Sequence, residues 1–110
     1  MNSRSPPVKV LWVSDSPLLG TGFGRVTREI TVRLASVPGI QVACVGWNYD
    51  GWPYDEAQFP AVIYPSRGPA DAPERFERVV SEFKPDVVIT LGEIWMIDWL
   101  AAHPTRPRFK

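Results

Sequence analysis

Four short runs, Val8 to Ser14, Gln41 to Gly46, Ala61 to Tyr64 and Asp86 to Leu91, are apolar almost without interruption. They constrain this chain more than any other feature. A strand with one wet face alternates apolar and polar residues, whereas a run without alternation is covered on both faces, as in a parallel sheet between helices. Helical spacing fills the gaps. Phe23, Val26, Ile30, Leu34 and Val37 form one stripe, predicted to face the core, and Pro38-Gly39 ends that helix. Asp71 to Glu74 has capping-box spacing with Pro73 in the first turn; Phe76, Val79, Val80 and Phe83 follow on one face, and Lys84-Pro85 stops the helix. After Gly92-Glu93, Ile94 to His103 reads as a short helix apolar nearly all round. This order predicts an α/β fold, a doubly wound three-layer sandwich with a mainly parallel sheet of strand order 3-2-1-4. No internal repeat interrupts it.

With 110 residues the chain is expected to make a single domain over 1–110, with flexible tails at 1–7 and 104–110. Lys plus Arg equals Asp plus Glu at 12 each, and no basic cluster runs along any segment, so nucleic acid is not an expected partner. Cys44 is the single cysteine and lies within an apolar run, which fits a buried small hydrophobe and a cytoplasmic setting. No apolar run approaches the ~20 residues of a membrane span, and Met1 to Pro7 lacks the apolar core of a signal peptide. His103 is the single histidine, so a multi-histidine metal site cannot be assembled; neither that nor a catalytic triad is expected, and His103 is expected to bond carbonyls near a helix end. No metal site and no cofactor are expected.

In a doubly wound sheet, ligands gather at the carboxyl ends of the strands where strand order reverses, here between the first and fourth. Two loops meet there, Ser14 to Gly24 and Leu91-Gly92-Glu93. Gly20, Gly22 and Gly24, with Thr21 and Phe23 between them, offer positive φ, close backbone approach and helix-start amides that attract anions. The spacing is neither the dinucleotide fingerprint nor a P-loop, so the residues alone leave open phosphate contact or a tight turn. Asp15 either contacts an acceptor or closes an Asx turn. Glu93 orients an acceptor hydroxyl or is a solvated loop acid, and Thr90 is the other polar group at that strand end. Trp47, Tyr49, Trp52 and Tyr54 suit a sugar face or packing on the domain edge, with packing favoured.

Val10 to Pro17, then Gly20-Thr21-Gly22-Phe23-Gly24 and a basic amphipathic helix, resembles the opening of family 4 glycosyltransferases. Val42 to Trp47 and Lys84 to Leu91 are placed as in that group, so the resemblance covers nearly the whole chain. It implies the amino-terminal, acceptor-side domain of a two-Rossmann-domain (B-type) enzyme. Gly22, Phe23 and Gly24 match the loop whose amides approach the donor diphosphate, and the expected partners are a nucleotide sugar and an acceptor. Many members bear His near the end of the fourth strand, where this chain has Ile89 and Leu91. The 110 residues hold no room for the second, donor-binding domain, so inactivity alone is the expectation. The strand 86–91 would be an apolar edge, predicting a homo-oligomer through it or through the helix 94–103. The alternatives are a stand-alone phosphate- or nucleotide-binding flavodoxin-like module and a non-enzymatic oligomeric structural fragment.

Overall fold

A computed structural model describes residues 6–57, 59–67 and 71–110. The elements run β1 (Val8–Asp15), α1 (Gly22–Ala35), β2 (Ile40–Trp47), β3 (Val62–Ser66), α2 (Ala72–Phe83), β4 (Val87–Thr90) and α3 (Ile94–Ile97). Two 3-10 turns follow, Asp98–Ala102 and Arg106–Arg108. All four strands are parallel, in the order β3-β2-β1-β4. The predicted Rossmann-like α/β sandwich is therefore present.

Register explains the unbroken apolar runs. Leu11 lies beside Ala43 and Val88, and Trp12 beside Cys44 and Ile89, so neighbours across the sheet share a face. Leu11, Val13, Ala43 and Val45 meet Phe76, Val79, Val80 and Phe83 of α2 on one face. Trp12, Cys44 and Ile63 turn to the other face, where α1 lies. Both faces are dry, so neither set of residues can be polar.

The helix α1 is rotated from its predicted setting. Its buried residues are Gly24, Thr27 and Thr31, while Val26 and Ile30 of the apolar stripe are 44% and 39% exposed. Trp12 is the cause: its bulk needs small residues opposite, and its indole N–H needs an acceptor, which the Thr27 hydroxyl supplies at 2.9 Å. Thr31 bonds the Thr27 carbonyl at 2.7 Å and also reaches the Cys44 thiol. Burial pushes that thiol up to about 12, as befits the inert, buried cysteine expected.

The capping box does not form. Asp71 stands at the N-cap of α2 but makes no side-chain cap bond there. β3 continues through Pro65 to Ser66, beyond the predicted Tyr64, which an edge strand tolerates because the missing N–H faces outward. The longer strand delivers Ser66 Oγ and Arg67 N–H to Asp71 Oδ1 at 2.8 and 3.1 Å. Burial works to raise this carboxyl, but those bonds and the Arg75 and Arg67 charges outweigh it and hold it below its ordinary value.

The end of the chain also departs from expectation. The helix predicted over 94–103 is one turn, α3, followed by the 3-10 turn. The segment 104–110, expected as a flexible tail, is packed: Thr105 and Phe109 are buried, and the Phe109 ring lies 5.6 Å from Phe76. Lys110 donates its N–H to the Asp86 carbonyl (2.9 Å) and accepts from Val88 N–H (2.7 Å), a parallel-sheet pairing on the outer edge of β4. That edge is covered in part, where bareness was expected. His103 Nε2 reaches the Pro73 carbonyl (2.9 Å), which can only accept, so Nε2 carries the proton and Nδ1 accepts from Thr105 N–H (3.3 Å). It does bond a carbonyl, but one in the first turn of α2. Of the other tail, residues 1–5 lie outside the described residues, and Pro6 and Pro7 are exposed. Among the described residues no helix is long and apolar enough to cross a membrane.

Candidate functional site

The glycine loop stands at the carboxyl end of β1, next to the end of β4, where strand order reverses. Two bonds tie the loops together: Leu91 N–H to the Val13 carbonyl (3.0 Å), and the Ser14 hydroxyl to the Leu91 carbonyl (2.6 Å).

Thr21 organises the loop. Its hydroxyl donates to Asp15 Oδ2 (2.7 Å) and accepts from Gly24 N–H (3.0 Å), capping α1. Asn48 Nδ2 adds a longer contact to Asp15 Oδ1 (3.4 Å). Asp15 is buried and thus serves the loop's own structure, bridging the turn to the end of β2. Arg25 N–H bonds the Thr21 carbonyl, leaving Gly22 and Phe23 as first-turn N–H groups without a hydrogen bond among the described residues.

The three glycines differ. At Gly24 an added Cβ would stand 2.7 Å from the Leu19 carbonyl oxygen and 2.9 Å from that of Ser16, so only glycine fits. Nothing lies within 4 Å of the corresponding point at Gly20 or Gly22. The expected positive φ is absent from all three; among the described glycines it occurs at Gly39 and Gly51. Gly24 is therefore required by packing, while Gly20 and Gly22 leave open space beside the helix start.

Asp15, Thr21, Gly22, Phe23, Val26 and Leu91 line an open groove of about 440 Å³. Of the residues singled out from the sequence, four meet here. Gly20 is exposed outside the lining, and Gly24 lies buried beneath it. Thr90 pairs in register with Val13 and so shares the α2 face, away from the groove. Glu93 is exposed and accepts the Trp95 indole N–H at 2.7 Å. Leu91 belongs to the second of the two loops expected to meet here, though no role was assigned to it, and sequence reasoning missed Val26 because it reads as core.

The aromatic loop packs, as favoured. Trp47 and Tyr49 are buried, Tyr54 donates to the Ala61 carbonyl (2.8 Å), and Trp52 is left exposed with its ring 4.6 Å from Tyr49. A cavity of about 420 Å³ lined by Lys84, Asp86 and Arg108 among others lies at the opposite end of the sheet, where β4 begins, remote from the switch point. Among the described residues no group of three or more His, Cys, Asp or Glu could hold a metal ion.

Fold and groove define a class: a Rossmann-like α/β domain with free helix-start amides at its topological switch point. Compared with family models, curated proteins and solved structures, the chain matches none.

Proposed function

We propose that this chain is the acceptor-side domain of a nucleotide-sugar-dependent glycosyltransferase, presenting the Gly22 and Phe23 amides to the donor diphosphate. The observation that carries this reading is the pair of unbonded N–H groups opening onto a groove at the sheet's switch point. Their orientation is held by the Asp15–Thr21–Gly24 relay, so the loop is organised without a ligand. The groove's open side suits a donor held mainly by other protein surface. Its apolar wall, Phe23, Val26 and Leu91, suits a sugar or nucleoside face more than a second phosphate. Thr21, Gly20 and Gly24 act as supports in this scheme, and Asp15 as the anchor of Thr21.

Amide chemical-shift titration with UDP tests it. Shifts should centre on Gly22 and Phe23, with affinity in the millimolar range because only part of the diphosphate is engaged, and Thr21→Val should weaken them about tenfold by releasing the cap. Absence of any shift at these amides at saturating UDP would remove the reading.

A second reading is favoured by the apolar surface left open: Val26, Ile30 and Ile89, with Ile94 and Trp95 at 75% and 60% exposure. It is a domain that self-associates, with α3 as the contact rather than the strand edge, part of which Lys110 covers. Concentration-dependent sedimentation, abolished by Trp95→Lys, would support it, and a monomer at high concentration would not.

A further inference from the structure

We infer a second ligand subsite on the same rim: the hollow between the ends of β2 and β3 and the first turn of α2, which takes a small hydroxylated molecule through an anionic group. This hollow encloses about 330 Å³ and is lined by Tyr49, Asp50, Pro65, Ser66, Arg67 and Arg75. That volume is at the lower end of small-molecule sites, room for a monosaccharide-sized ligand.

Two arginines line one cavity, and among the described residues neither is in an ion pair. Placing like charges together is unfavourable unless a third, opposite charge joins them, and a planar guanidinium offers paired donors to phosphate or carboxylate. Asp71 fills that role only in part, forming no ion pair with either. Its Oδ1 is engaged by Ser66 Oγ and Arg67 N–H, its Oδ2 by the same N–H at 3.3 Å, and it lines the adjoining hollow with Glu74, Arg75 and Arg78. Its charge steadies Arg75 and Arg67 from the side.

The remaining walls favour a hydroxylated carrier over a bare ion. Asp50 is the carboxylate on the lining, opposite in sign to the arginines and suited to accept a ligand hydroxyl. Tyr49 is fixed on three sides: its N–H bonds the Ser66 carbonyl (3.3 Å), its hydroxyl bonds the Trp52 carbonyl, and its ring meets Trp52 edge-on. Arg75 sits in the first turn of α2, a helix of 12 residues, where the helix field adds to attraction for an anion. Naming this ligand the acceptor rests on the glycosyltransferase reading; the subsite itself rests on the arginines.

Amide-shift titrations with glucose 6-phosphate, glucose, inorganic phosphate and UDP separate the two. Glucose 6-phosphate should shift Asp50, Ser66, Arg67 and Arg75, several-fold more tightly than inorganic phosphate, with glucose silent. Arg75→Gln and Arg67→Gln should each weaken it about tenfold while core resonances stay in place. The inference is overturned if glucose 6-phosphate leaves this patch unmoved, if both variants bind as the parent does, or if inorganic phosphate binds equally tightly. UDP shifts at Gly22 and Phe23 report on the other reading: sugar phosphate binding without them sinks the donor loop alone, and the converse sinks this subsite alone.

Discussion

Trp12 and Trp47 are both buried on the sheet, yet their indole nitrogens meet different fates. Trp12 Nε1 donates to Thr27, while Trp47 Nε1 is buried with no partner among the described residues. A buried donor without a partner costs about 1–3 kcal/mol, which a phenyl ring in its place would not incur. Trp47→Phe and Trp12→Phe lose the same volume, but only the second also loses a bond. Urea denaturation should therefore find Trp47→Phe less destabilising than Trp12→Phe by about 1–3 kcal/mol. Equal losses would mean that the Trp47 N–H is bonded in solution. Neither fate is legible in sequence, since both residues sit in apolar runs and the acceptor for Trp12 comes from a helix residue 15 positions away. The glycines teach the same lesson. Three at alternate positions look equivalent, and the carbonyls of Ser16 and Leu19 single out Gly24.

At the scale of the element, periodicity locates α1 but does not orient it. Phe23, Val26 and Ile30 form one stripe, and Gly24, Thr27, Thr31 and Ala35 form another about 100° round the helix, equally regular and made of small residues. The sheet decides between them, because Trp12 and Cys44 fill the space that large helix residues would need. Ile30→Gln should change stability by less than about 1 kcal/mol in urea denaturation, where a core isoleucine would cost several. A larger loss would restore the stripe to the interior. The α2 start departs from its spacing for a related reason: capping-box spacing is local, and Asp71 is claimed by the end of β3 instead. Its folded carboxyl titrates below the ordinary value near 4, so its stabilising contribution is full above that value and is lost as pH falls through the lowered one. Asp71→Asn should be less stable than the parent at neutral pH, and the gap in denaturation midpoint should close below about pH 4. A gap that persists at low pH would assign the effect to shape, not charge.

For the whole molecule, strand order and the three layers were legible because dry strands alternating with helices have few chiral solutions. The switch point followed, and with it the place of the groove; the hollow holding Arg67 and Arg75 did not, because it forms from three segments with no shared motif. The outer edge of β4 was also hidden. Nothing in Arg106 to Lys110 reads as a strand, yet Phe109 is drawn against Phe76, and that anchoring lays Lys110 along β4. In a parallel ladder successive N–H groups alternate sides, so Val88 and Thr90 both donate outward while Ile89 and Leu91 donate toward β1. Val88 N–H is bonded to Lys110, and among the described residues Thr90 N–H has no such cover. Hydrogen exchange should accordingly be slow at Val88 and fast at Thr90 in the parent. Removing Phe109 and Lys110 should cost about 2–4 kcal/mol through the lost aromatic packing. Measured against global unfolding, it should bring Val88 to the rate of Thr90 while leaving Ile89 and Leu91 protected. If Val88 stays slow after that deletion, the edge is covered by something other than Lys110, and self-association through β4 becomes the explanation to pursue.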